Sequence, residues 1–99
     1  MKESQREHIF AKIRSQRCLV CSSKNVDVAH VRTRGAGGPD EEFNLMPLCR
    51  EHHTEQHKIG IITFMRRYPS VAAYLSTAGW TIENGKLWND KLGHEALPG

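Results

Sequence analysis

Long apolar runs are missing from this chain. No stretch approaches the roughly 18 residues that a membrane-spanning helix needs. The charged start, Met1 to Glu7, is followed by no apolar segment of signal-peptide length. Both lacks lead us to expect a soluble, cytoplasmic protein. Aromatic residues are few, at 7%. The 99 residues are expected to make one small domain, 1–99, whose core is marginal by itself and would gain from a structural metal. There is no internal repeat and no low-complexity tract. Cysteine is sparse and odd in number, at three, which suits a disulfide framework badly and suits three thiolates plus a histidine on zinc well. The net charge of +3 is a mild hint of an anionic partner.

The pattern along the chain is mixed α and β. Ser4 to Gln16 reads as a helix, with Ser4 as its cap and Glu7 closing a capping box. "CLVC" at 18–21 is followed by a polar turn, Ser22 to Asn25. "VDVAHV" (26–31) alternates and is β-branched, which predicts a strand ending near His30. "RTRGAGGPDEE" (32–42) reads as a loop, and "FNLMPL" (43–48) as a second short strand with Pro47 at an edge or end. A helix is expected from about Arg50 to Lys58, stopped by Gly60, and another from Ser70 to Thr77, stopped by Gly79. Asn84-Gly85 predicts a hairpin turn within "WTIENGKLW" (80–88), with Trp80, Ile82, Leu87 and Trp88 as core, and Asn89 to Gly99 reads as a loose end.

Two cysteine-bearing pairs stand far apart. Cys18 and Cys21 form CxxC, and Cys49 and His52 form CxxH. A three-residue step lets two ligands in a tight turn converge on one ion, and zinc takes four such ligands in a tetrahedron. Together they would cross-link two parts of a small chain and supply much of its folding free energy. Three buried free thiols and a stray histidine are the plainer reading, and they leave the paired spacing unaccounted for. Zinc of this kind is silent about function.

A second group overlaps the first. His53 and His57 are four apart, so on a helix they lie on one face within about 40°, whereas His52 and His53 diverge by about 100°. One helix can therefore present Cys49 and His52 to one metal and His53 and His57 to another. His30 sits at the expected end of the first strand, where its near-neutral intrinsic pKa suits a general base on water, with the ion stabilising charge on phosphate and leaving oxygens. Asn44 follows 14 residues later. Each alone has a bland explanation: a backbone-bonded histidine, a turn asparagine, a solvated helix face. The four together favour a site.

The stretch "CLVC…VDVAHVRTRGAGGPDEEFNLMPLCREHHTEQHKIG" resembles the HNH endonucleases, especially the small zinc-containing members common in phages and prophages. The resemblance covers roughly residues 18–60 and leaves 61–99 as a C-terminal extension. It implies an α+β fold: a zinc-stabilised ββα-metal, treble-clef-like domain, here with an N-terminal helix and a C-terminal helix plus hairpin. It implies His30 as general base, Asn44 as the residue holding that histidine's loop, and His53 with His57 as ligands of the catalytic ion. Cys18, Cys21, Cys49 and His52 would hold the structural zinc. Many family members carry Asp or His directly before the base, as a ligand. Here that position is Ala29, which cannot ligate, so His57, an acid such as Asp40, or substrate phosphate must fill the place; His57 is the preferred choice.

The expected activity is metal-dependent hydrolysis of DNA phosphodiester bonds. The ion would be Mg²⁺, Mn²⁺, Ni²⁺ or Zn²⁺, with imidazole ligands leaning away from Mg²⁺. Arg32, Arg34 and Arg50 are candidate phosphate contacts, as are Arg66 and Arg67, which read equally well as solvated charge. Gly35, Gly37 and Gly38 would let backbone approach phosphate, or simply make a turn. The competing readings are a zinc-finger-like DNA-binding module without catalysis, and an accessory of phage recombination or packaging that cuts only with a partner. The sequence does not separate DNA from RNA.

Overall fold

The computed structural model describes residues 3–92. Among them are four α-helices and two two-stranded antiparallel sheets: α1 (Glu3–Arg14), β1 (Asp27–His30), β2 (Leu45–Leu48), α2 (Arg50–Ile59), α3 (Ile61–Arg67), α4 (Pro69–Thr77), β3 (Trp80–Glu83) and β4 (Lys86–Asn89). Short 3-10 turns fill Arg34–Ala36, Glu42–Asn44 and Asp90–Leu92. No helix among the described residues is long and apolar enough to cross a membrane.

β1 and β2 pair with Asp27 opposite Leu48 and His30 opposite Leu45. The Val31 amide continues the ladder by donating to the Asn44 carbonyl (2.8 Å). All four β2 residues are buried, because α1 packs on the sheet from one side and α2 from the other. Pro47 has no amide to give a third strand, so it fits a sheet that stops at two. Cys49 follows β2 and is the N-cap residue of α2, which places a zinc candidate and the following helix turns directly after the core strand.

Several expectations change. Helix α1 already contains Ser4, so Ser4 does not cap it. Helix α3 was not expected: Ile61, Ile62 and Thr63 are β-branched and disfavour helix locally. Burial of Phe64 and Met65 outweighs that preference. The end is less loose than expected through Leu92. Asn89 is buried, and its amide donates to the Ala78 carbonyl (3.0 Å) while its Oδ1 accepts from the Lys91 amide (3.0 Å). The rest of that segment, 93–99, lies outside the described residues.

The hairpin turns at Asn84-Gly85 as the dipeptide predicts, both at positive φ (53° and 74°). Trp80 and Leu87 are core, but Ile82 is 40% exposed at the far end of β3 and Trp88 is only half-buried. One cluster of buried side chains runs from Cys18 through Phe43 and Phe64 to Trp80 and Leu87. Polar ties reinforce it: Trp80 Nε1 donates to the Phe43 carbonyl (2.8 Å), Tyr74 hydroxyl to the Leu45 carbonyl (3.1 Å), and Ser70 Oγ to the Leu19 carbonyl (2.6 Å).

Candidate functional site

The CxxC turn closes on itself before it meets anything else. The Ser22 amide donates to the Cys18 carbonyl and the Cys18 amide to the Ser23 carbonyl (both 2.9 Å), with Ser22 at φ 63°. Leu19 N–H donates to the Pro47 carbonyl (3.1 Å), which hangs this turn on β2. Cys49 and His52 then reach it from the first turn of α2. Cys21 Sγ lies 3.7 Å from Cys49 Sγ, and His52 Nδ1 lies 3.2 Å from Cys49 Sγ and 3.7 Å from Cys18 Sγ. All four ligand atoms fall within 4.8 Å of one another. A zinc tetrahedron with Zn–S near 2.3 Å has S–S edges of about 3.8 Å. The residues therefore fit a four-coordinate metal.

Cys18 and Cys49 are shifted in opposite directions. Burial alone would raise the Cys18 thiol, but amides of Cys49, Cys21 and Val20 and the His52 ring bring it down from 9.0 to about 6. The Cys49 thiol is pushed up by burial and by the neighbouring Cys21 and Cys18 sulfurs. Crowded sulfurs of this kind repel as thiolates until a cation joins them. The Tyr68 ring stands edge-on to His52 at 5.6 Å, and its hydroxyl donates to Glu55 (2.6 Å), so α2 and the start of α4 hold the imidazole from behind.

His53 and His57 share the next face of α2. Their Nε2 atoms are 3.2 Å apart, a separation that suits two neighbouring ligands of one ion at about 2.1 Å each. His53 Nδ1 is 3.1 Å from Asp27 Oδ2. Asp27 is held well below its usual 3.8, first by the Arg50 guanidinium hydrogen bonds and then by His53, so it is an ionised acceptor. An ionised carboxylate can only accept, so His53 carries its proton on Nδ1 and turns the Nε2 lone pair toward His57. Carboxylate-backed histidine is the usual outer arrangement of a metal ligand. Asp27 lies on the same strand face as Ala29, one pleat earlier. It was missed in the sequence, where only its alternation with apolar neighbours marked it.

His30 takes a different carboxylate. Its Nε2 is 2.7 Å from Asp40 Oδ1, and Asp40 also accepts from Arg34 (3.1 and 3.0 Å) and pairs with Arg6 (3.1 Å). Burial would raise Asp40, but His30 and Arg34 hold it below 3.8. Asp40 is thus fully engaged and not turned toward His53. The ring of Phe10 on α1 meets His30 edge-on at 6.3 Å, and Gln56 Nε2 on α2 donates to the His30 carbonyl (3.2 Å). Neither Phe10, Arg6 nor Gln56 carries a sequence signal; tertiary packing alone brings them there.

Asn44 is fully buried at the end of its 3-10 turn. Its Nδ2 donates to the Arg32 (3.0 Å) and Pro39 (2.9 Å) carbonyls, and its Oδ1 accepts from the Arg32 amide (2.8 Å). It ties both ends of the loop after His30. Gly38 lies against that knot: a Cβ there would sit 1.8 Å from the Arg32 carbonyl oxygen. This glycine serves loop closure, not approach to a ligand.

The candidate phosphate contacts are placed unequally. Arg32 turns inward and donates to the Leu87 carbonyl (3.1 Å). Arg34 is exposed on Asp40, and Arg50 is exposed on Asp27 (2.8 Å). Among the described residues, only the Cys18, Cys21, Cys49 and His52 set gathers three or more ligand atoms at one point. The Asp40-bound His30 and the Asp27-bound pair of His53 and His57 remain separate groups.

A scan against protein-family models matches residues 1–78 to the family described as "Putative HNHc nuclease". No curated protein and no solved structure matches the chain.

Proposed function

The chain belongs to the HNHc nuclease family, and on that premise we propose that it is a metal-dependent endonuclease hydrolysing DNA phosphodiester bonds. The observation that carries this reading is the His53 and His57 pair, Nε2 to Nε2 at 3.2 Å with Asp27 behind it, on the helix that also supplies half of the zinc set. A divalent cation bound there would stabilise charge on a phosphate oxygen and on the leaving oxygen. His30 acts as general base on the attacking water. A base and an ion that work on one phosphodiester flank it, so His30 need not crowd His53. Asn44 holds the base loop through its three backbone bonds.

Cys18, Cys21, Cys49 and His52 hold structural zinc in this reading, giving a treble-clef-like ββα unit within a single domain, 1–99. Arg34 and Arg50 are the phosphate contacts it favours, since both guanidinium groups are exposed while paired with Asp40 and Asp27. Arg32, bonded to Leu87, shapes the loop instead. DNA is the substrate, and phage recombination or packaging proteins are the partners the reading admits.

Nicking of supercoiled plasmid by zinc-loaded protein, with Mg²⁺, Mn²⁺, Ni²⁺ or Zn²⁺ added, tests the proposal. His30→Ala should abolish nicking while circular dichroism and DNA binding persist. Wild-type protein that binds one tight zinc, no second metal, and never nicks would make it a binding module instead.

A further inference from the structure

The two imidazole–carboxylate contacts serve different ends, and the one at His30 bears on proton transfer. We propose that Asp40 is a positioning residue that fixes His30 with its proton on Nε2, so that Nδ1 is the atom that takes the proton from water; this deepens the nuclease reading and rests on it.

The tautomer follows from hydrogen-bond capacity. Neutral imidazole has one N–H and one lone pair, and an ionised carboxylate only accepts. At 2.7 Å from an Asp40 oxygen, Nε2 must be the protonated nitrogen, and the lone pair falls on Nδ1. Four further residues hold His30 and its partner still. Phe10 meets the ring edge-on, Gln56 Nε2 donates to the His30 carbonyl, Arg34 donates to both Asp40 oxygens, and Arg6 pairs with Asp40 at Oδ2. When Nδ1 accepts the water proton, the resulting imidazolium keeps its Nε2–H on the carboxylate, and the hydroxide oxygen bonds to phosphorus as the bond from phosphorus to the leaving oxygen breaks, that oxygen taking a proton from solvent water.

The arrangement makes an unusual order of variants. Oδ2 of Asp40 accepts from Arg34 Nη2 and pairs with Arg6, while Oδ1 accepts from Arg34 Nε and lies against His30 Nε2. In Asp40→Asn the carbonyl oxygen belongs where the two arginine charges converge, at the Oδ2 position. The amide NH₂ then faces His30 Nε2 and makes it an acceptor, which moves the ring proton to Nδ1 and blocks the base. Asp40→Ala merely frees the ring to use both tautomers. The isosteric variant should therefore be the worse enzyme, the reverse of what loss of a structural contact gives.

The test reads tautomers and rates in the zinc-loaded full chain. Long-range ¹H–¹⁵N spectra, with His30 identified by its loss in His30→Ala, should show Nε2–H in the wild type and in Arg34→Gln, and Nδ1–H in Asp40→Asn. Plasmid nicking should fall about 10-fold in Asp40→Ala and about 100-fold in Asp40→Asn, in kcat with KM nearly unchanged. A wild-type His30 carrying its proton on Nδ1 overturns the proposal, even if the Asp40 variants do not fold. So does Asp40→Asn nicking as fast as Asp40→Ala. A wild type that cuts nothing in any of the four metals sinks the nuclease reading alone, because the tautomer spectra still decide what Asp40 does.

Discussion

At the scale of single residues, the candidate site is held by side chains whose partners are backbone groups or other side chains already in place. The buried Asn44 side chain makes three hydrogen bonds, and Asn44→Ala would leave an amide and two carbonyls without these partners. Unpaired buried groups cost about 1–3 kcal/mol each, so a marked fall in the urea midpoint is expected, together with loss of nicking. Asp27→Ala should weaken divalent-ion binding at His53 and His57 by about 10- to 100-fold. Calorimetric titration would check this, with the zinc content unchanged; equal affinity in the variant would remove Asp27 from the site.

Asp27 and Asp40 also set an acid limit. Both are held below 3.8 in the folded chain. A depressed carboxylate contributes stability above its unfolded pKa and loses it as pH falls through the lower, folded value. Thermal melts should therefore fall off below about pH 4, and less steeply in an Asp27→Asn, Asp40→Asn double variant. Identical acid profiles in the two proteins would contradict the pairing.

At the scale of elements, α2 divides its turns between two tasks. Cys49 and His52 meet the CxxC turn, while His53 meets Asp27 and His57 meets His53. A helix offers this division because consecutive residues differ by about 100°. Cys49→Ala should disable the zinc set and release the anchor between β2 and the CxxC turn. Structural metal binding is folding free energy, and 1 kcal/mol moves the melting temperature of a chain this size by about 4–8 °C. A fall of more than about 10 °C is expected by calorimetry; an unchanged melting temperature would show that the cluster is not structural. The loop between the sheet strands is equally constrained. Gly38→Ala places a methyl on the Arg32 carbonyl, and should destabilise the loop enough to broaden the His30 and Asn44 resonances.

At the scale of the whole molecule, the part beyond α2 is continuous with the site's support. Trp80 lies in the same buried cluster as Cys18 and Phe43, and its indole bonds the Phe43 carbonyl next to Asn44. Trp80→Ala should cost about 3–5 kcal/mol and should also impair nicking, although no part of Trp80 contacts His30, His53 or His57. Full activity in a destabilised Trp80→Ala protein would separate the extension from the site. Arg32 makes the second such link, through Leu87.

Local chemistry in the sequence determined the spacing of the candidate ligand pairs, the strand ending at His30, the α2 helix and the Asn84-Gly85 turn. Each depends on spacing or conformational preference within a few residues, and both are visible in order along the chain. Only the tertiary structure decided which carboxylate serves which histidine. Asp40 goes to His30 and Asp27 to His53, because strand alternation and the closed loop aim side chains separated by 10 and 26 residues at each other. The same holds for α3, formed against its local preference by burial of Phe64 and Met65, and for Arg32, drawn from solvent to Leu87. Long-range packing outweighs these local tendencies, and no short stretch of sequence contains it.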